Sequence, residues 1–228
     1  MRFSTDDQAR VAEAIKAAEA TTSGEIFCVH ARRVSSYRDV SLVWAAGLAL
    51  ILPLALIPLG FEPRLIPLLA DGWEAGHGAA REVAVGRALA AYALVQAAVF
   101  ALAYLLSRIP PILRLLTPRA VRRARCREAA LHQFLAHGLH VTEARTGVMI
   151  FAAEADHQVE VIADKGIHEK VPDTVWAEAA AALAKGMKSR DPVSGFTEAV
   201  RICGEVLAQH FPPRPDNPNE LADRIVEI

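Results

Sequence analysis

The run "VSLVWAAGLALILPLALIPLGF", residues 40–61, has 22 consecutive residues without a charge. A second charge-free run, "ALAAYALVQAAVFALAYLLS", covers residues 88–107 and has 20. A helix needs about 20 apolar residues to cross a hydrocarbon core roughly 30 Å thick. Helices of a soluble bundle normally keep a polar face, and neither run has one. The pair is expected to form a transmembrane hairpin over residues 40–108, with spans at about 40–61 and 88–107 and an external loop at 62–87. Pro53 and Pro58 would break a helix in water, but lipid-embedded helices keep proline as a kink. In the loop, the "LIPLLA" patch and Trp73 are expected to graze the interface.

Flanking charge orients the hairpin. Seven arginines (Arg108, Arg114, Arg119, Arg122, Arg123, Arg125 and Arg127) and no acid occupy residues 108–127. Arg32, Arg33 and Arg38 precede the first span, whereas the arginines of the loop are offset by Glu62, Asp71, Glu74 and Glu82. The positive-inside rule places both termini in the cytoplasm. The seven arginines then read as the inner membrane anchor, within a basic juxtamembrane segment at 109–127 that touches anionic lipid head groups. No aromatic interleaving or recognition motif accompanies them, so no nucleic-acid partner is expected.

Composition agrees. Hydrophobic residues make up 53% of the 228 and the net charge is −1. The first figure exceeds the soluble norm of about 45–50%, and the second gives no global pull on a polyanion. Cys28, Cys126 and Cys203 are sparse and unpatterned, which argues against a disulfide framework and a structural zinc site. The polar, amphipathic N-terminus shows no cleavable signal peptide.

The remaining segments read as soluble. Residues 4–22 form a helix, with Thr5 and Gln8 at capping-box spacing and Val11 and Ile15 on its apolar stripe. "EIFCVHA" (25–31) reads as a strand. After the hairpin, "CREAALHQFLAHGLHVT" makes a helix that Gly138 helps end. "TGVMIFAA" and "HQVEVIADKG" follow as strands joined by a hairpin turn, with Val159, Val161 and Ala163 alternating against Glu160 and Ile162. Two amphipathic helices carry Trp176, Ala180, Leu183 and Met187, then Phe196, Val200, Cys203 and Leu207. The strand at 25–31 has no partner in its own half, so segments 1–39 and 128–212 are expected to close into one α/β domain. The Pro-rich tail, 213–228, begins as an extended arm; "NELADRIVEI" either docks as a strand, folds back on the domain or stays free.

"TSGEIFCVHA", "FLAHGLHVTEARTGVMIFAAEADHQVEVIADKGI" and "GFTEAVRICGEVLAQHFP" resemble the TPM-domain family across residues 4–34 and 128–212. With its inserted hairpin and "NPNELADRIVEI" tail, the chain is similar to a bacterial inner-membrane branch. The resemblance implies an α/β/α sandwich, here split by the two-helix transmembrane hairpin. Acid phosphatase activity and divalent-cation binding have been attributed to some members, and some plant and cyanobacterial relatives are linked to photosystem II repair. His157 stands where the family usually has arginine, and Ala163-Asp164-Lys165-Gly166 carries one glycine fewer.

Asp156, Asp164 and Asp173 are the candidate site residues. Converging at strand ends, such carboxylates would hold a hard divalent ion such as Ca or Mg or flank a phosphate ester. Alternatively, Glu154 and Asp156 make the hairpin turn and Asp173 caps a helix. No GxSxG, GxGxxG or P-loop signature is present, and no cofactor is identified. His132, His137 and His140 read as solvated or capping residues. The expected function is that of a multi-pass inner-membrane protein whose cytoplasmic domain binds a protein partner or serves membrane-protein quality control. The alternative is a divalent-metal-assisted phosphatase using Asp156 and Asp164.

Overall fold

Val11 and Ile15, one helical turn apart, commit the first segment to burial along one stripe, and α1 (Thr5–Glu19) forms there. Its capping box uses Ser4 and Asp7 rather than Thr5 and Gln8: Asp7 N–H donates to Ser4 Oγ at 3.1 Å, and Ser4 N–H donates to Asp7 Oδ2 at 2.9 Å. The start moves one residue earlier because a carboxylate accepts more strongly than an amide and favours the positive end of the helix dipole.

The computed structural model describes residues 3–56, 79–142, 145–168 and 170–228. The expected interfacial patch, Trp73 and Pro58 lie outside the described residues. The chain divides into two compact units, one of residues 1–36 with 119–228 and the other of residues 37–118.

The first unit is built on β1 (Glu25–Ala31), β2 (Gly147–Ala153), β3 (Gln158–Ala163) and β4 (Ile225–Glu227), in the order β3-β2-β1-β4. β1 is parallel to both β2 and β4, and β3 is antiparallel to β2. The register runs unbroken from Glu25 opposite Gly147 to Ala31 opposite Ala153. Every residue of β1 and β2 is buried, as expected of strands covered on both faces. One face packs Ile26, Cys28, Val148 and Ile150 against α1, α7 (Asp173–Lys188) and α8 (Pro192–His210), with the short α6 (Lys165–His168) leading from β3 toward α7. The other packs Phe27, Val29 and Phe151 against Cys126, Ala130 and Phe134 of α5 (Arg119–Ala136). The result is a mixed α/β, three-layer α/β/α domain with an open sheet, assembled from both sequence halves as the lone β1 strand required.

Glu160, which alternation sets opposite Val159 and Val161, is not on a solvent face: α5 covers that side and leaves Glu160 buried. Gly186 lets α7 and α8 cross closely, since a Cβ there would lie 2.4 Å from the Gly195 Cα. The tail docks as β4: Arg32 N–H donates to Ile228 O at 2.9 Å, and Ile228 N–H donates to His30 O at 3.0 Å.

The second unit contains α2 (Arg38–Leu56), α3 (Ala79–Ser107) and α4 (Pro110–Leu116). α3 starts nine residues before the expected span, inside the stretch read as loop, because a charge-free run marks apolar length and not where hydrogen bonding begins. On α2, Ser41, Ala45, Ala49 and Pro53 form a buried i, i+4 stripe, and Ala91 of α3 is also buried. Small residues of this kind let two helix backbones approach closely. Trp44 Nε1 donates to Leu116 O at 3.1 Å, so the start of α2 and the chain just beyond α3 lie at one level. Segments 38–55 and 89–107 are long and apolar enough, by length and composition, to cross a membrane.

Candidate functional site

Because β1, β2 and β4 run parallel, their carboxyl ends share one edge of the sheet, the usual place for a ligand crevice in open α/β folds. A cavity of about 600 Å³ opens there. It lies between that edge, the β2–β3 turn and the junction of α7 with α8. Ala153, Val159, Ala184, Met187 and Pro192 give it apolar walls. His30, Glu154, His157, Lys188 and Arg190 supply its polar groups.

His30 is set by strand alternation. It follows Ile26 and Cys28 at period two, so its ring points to the face of β1 that meets α1 and α8. It is fully buried, with the Phe3 ring edge-on at 5.1 Å. Neither ring nitrogen has a hydrogen-bond partner. Glu154 Oε2 is 3.6 Å from Nε2, beyond hydrogen-bond reach. Burial pushes the imidazole below its ordinary value, and the Glu154 carboxylate pulls it part of the way back. His157 (φ 50°) and Arg190 (φ 62°) flank the cavity with left-handed backbones. Such conformations cost a non-glycine residue roughly 1–3 kcal/mol and cluster at ligand sites.

Asp156 and Asp164 are not brought together. Asp156 follows β2, whereas Asp164 follows β3, and the two strands are antiparallel. A six-residue strand separates them, about 20 Å at 3.4 Å per residue. Expected convergence at strand carboxyl ends fails because one of those ends belongs to the reversed strand. Asp156 is a buried turn residue: its Oδ2 accepts from Val34 N–H at 3.3 Å, and its main-chain oxygen accepts from Arg122 Nη1 at 3.3 Å. Asp164 Oδ1 accepts from Lys165 N–H at 2.6 Å, while its buried Oδ2 has no hydrogen-bond partner. Asp173 is exposed as the first residue of α7, where Pro172 and not Asp173 holds the cap position. These three do not form a donor set for a divalent cation. Among the described residues no group of three or more His, Cys, Asp or Glu is placed to hold a metal ion.

Several of the arginines serve the domain. Arg122 is buried; Arg123 and Arg127 reach Glu160 at 4.0 and 3.7 Å; Arg125 donates to Ser35 Oγ at 2.7 Å. Burial raises the Glu160 carboxyl while Arg127 and Arg123 hold it down. Arg119, Arg123 and Arg127 are exposed along one side of α5, and Arg108 and Arg114 belong to the second unit. His132 is exposed and His137 packs on Phe27 with ring centroids 4.5 Å apart. Gly138 (φ 74°) ends α5, so His137 and His140 do not share a helical face. Burial pushes Cys126 and Cys203 up to about 12 and Cys28 well above its usual range, which makes all three poor nucleophiles at neutral pH.

His30 and the α7–α8 corner escaped the sequence reading. The available signal was a lone histidine at an inward position of an otherwise apolar strand, "EIFCVHA".

Three comparisons bear on kinship. No curated protein matches the chain. The fold is similar to that of the BA42 protein from the psychrophilic bacterium Bizionia argentinensis, determined by NMR, with a TM-score of 0.55 at 16% identity, covering 100% of this chain and 97% of that one. The family description "TPM domain" matches residues 113–206, from within α4 to within α8 and short of α1 and β1. Residues 113–206 therefore carry a TPM-domain region, within a fold that a distant solved structure shares.

Proposed function

We propose that the chain is a multi-pass protein of the bacterial inner membrane, with α2 and α3 crossing the bilayer and both termini on the cytoplasmic side. Its TPM-like domain serves there as a binding module for a membrane-associated protein partner or for membrane-protein quality control. One observation carries the membrane reading. Fifteen of the nineteen large apolar side chains exposed among the described residues lie between Leu42 and Leu115. Water does not tolerate a patch of that extent on a soluble monomer. Arg108 and Arg114 flank the spans, where each cation contributes about 1 kcal/mol near an anionic surface.

Binding is favoured over ester hydrolysis because Asp156 and Asp164, on which a metal-assisted phosphatase would depend, occupy opposite ends of the β2–β3 hairpin. The test is alkaline extraction of membranes combined with reporter fusions at each terminus. The protein is expected to stay in the pellet, with a fluorescent cytoplasmic reporter active and a periplasm-dependent phosphatase reporter silent at both ends. Release into detergent-free buffer, or a periplasmic terminus, overturns the reading.

A further inference from the structure

We propose that the open edge of β3 takes up an extended segment of a protein partner as a further strand, with acidic side chains toward α5 and small apolar ones toward α7. The inference rests on the reading of the domain as a module for a protein partner and names the chemistry of what it binds. The edge lies wholly within the first unit, so it does not depend on membrane insertion.

Backbone polarity carries the argument. β3 is an outermost strand of the sheet and pairs with β2 on one side alone. Asp164 N–H donates to Gly147 O at 2.9 Å, and in antiparallel pairing the hydrogen-bonded residues recur at every second position. Ile162, Glu160 and Gln158 therefore turn their main-chain groups toward β2, opposite Met149, Phe151 and Ala153. Val159 and Val161 turn theirs outward, where they take no hydrogen-bond partner among the described residues. Their N–H and C=O groups stand in a row, the template that an added strand requires.

A cavity of about 540 Å³ runs along this edge. The consecutive residues Gln158 to Ile162 line it, as expected along a strand edge, since alternate side chains leave a strand on opposite faces. Arg123 and Arg127 of α5 form one wall, and Trp176, Ala177 and Ala180 of α7 form the other.

The walls select the occupant. Side chains of an added strand alternate between α5 and α7. Those toward α5 meet Arg123 and Arg127, both exposed, which share the Glu160 carboxylate at 4.0 and 3.7 Å, beyond hydrogen-bond reach. A partner carboxylate can take the donors that Glu160 leaves unused. Those toward α7 meet Val159, Val161, Trp176 and Ala180, which suit valine-sized groups, and Asp173 on that wall disfavours a second acid there. A second copy of this chain fits less well. Two β3 edges related by a two-fold axis would keep both α5 helices on one face of the joined sheet and set their arginines against each other.

The experiment follows amide hydrogen exchange by NMR in the full-length chain in detergent micelles. Three probes are titrated separately: a blocked heptapeptide of alternating glutamate and valine, its lysine–valine counterpart, and the glutamate–valine peptide N-methylated throughout. In the free protein the amides of Val159 and Val161 should exchange faster than those of Glu160 and Ile162. The glutamate–valine peptide at millimolar concentration should slow them about tenfold, and the other two peptides should leave them unchanged. Arg123→Gln/Arg127→Gln, at exposed positions, should weaken the glutamate–valine peptide about tenfold while Glu160 and Ile162 stay protected. Val161→Pro removes an outward donor that β2 does not use, so the β2–β3 pairing should persist while binding is lost; the arginine variant and the three peptides decide even where that chain fails to fold. No slowing at Val159 and Val161, an equal effect of the lysine–valine or N-methylated peptide, or undiminished binding in the arginine variant each overturns the proposal. Protection that rises with protein concentration in the absence of peptide, with a dimer in sedimentation, overturns it in favour of self-pairing. A failed titration of membrane-retained protein removes the β3 edge and leaves the membrane reading intact, whereas protein released by alkali but protected by peptide does the reverse.

Discussion

Glu19 ends α1 with Oε1 accepting from Ile26 N–H at 2.7 Å, beside the carboxyls of Glu25 and Asp223. Burial pushes its pKa up to about 8, against the pull of that N–H, and the neighbouring carboxyls add to the rise. Glu25 is raised for the same reason, by burial first and by Glu220 and Asp223 after it. A carboxyl raised above its unfolded value holds its proton longer in the folded state. Stability therefore falls as pH climbs from about 4.5 toward 8. Glu19→Gln keeps an acceptor for Ile26 and removes the titration, so melting temperatures compared at about pH 5 and about pH 9 should differ less in the variant. Arg122 poses a different problem. Its guanidinium satisfies the main-chain oxygen of Asp156 from a buried position. Arg122→Met retains the stem but removes that buried, charged hydrogen bond, at a cost of about 1–3 kcal/mol in denaturant unfolding. The exposed Arg119→Gln should stay within about 0.5 kcal/mol. Charge alone made these two arginines look alike in the sequence; which side of α5 each occupies separates them.

Among the elements, the docked tail has the largest consequence. β4 pairs only three residues, yet it covers an edge of β1 in which every residue is buried. Ile225 enters the core on one face of the sheet, while Leu221 and Val226 pack on the other. The connection is pinned by Asn217 Nδ2 donating to Thr22 O at 3.1 Å and Leu221 N–H donating to Glu25 Oε2 at 3.2 Å. Removing residues 213–228 deletes these apolar contacts and bares a flat strand edge. The truncated chain should lose on the order of 5 kcal/mol in denaturant unfolding and self-associate in size-exclusion chromatography. The docking was only one option in the sequence because a three-residue strand is too short to show alternation, and the prolines before it read as an arm. α7 and α8 were legible for the opposite reason: each repeats a long apolar stripe whose period has no other interpretation.

At the scale of the whole molecule, the sequence exposes the architecture better than the site. Two uncharged runs and one partnerless strand were enough to anticipate an α/β domain assembled around an insertion, whereas its three layers were implied only by the family resemblance. Register, by contrast, is invisible without the fold, and the candidate aspartates were misjudged for that reason: a hairpin puts residues near in sequence at opposite ends of the sheet. His30 and Arg190, 160 positions apart in the chain, meet at one cavity only through parallel pairing of β1 with β2 and the return of α7. The same assembly has a consequence for the core of the first unit, taken over the described residues. All residues of its two apolar clusters come from segments 1–36 and 119–228. Replacing residues 37–118 with a short, flexible Gly/Ser linker should therefore yield a water-soluble protein that retains the four-stranded sheet, because loop closure through such a linker costs little. Hydrogen exchange supplies the measure: amides of β1 and β2 should be protected to the global unfolding limit. A product whose β1 amides exchange freely would mean that the two halves need the helical hairpin to find each other.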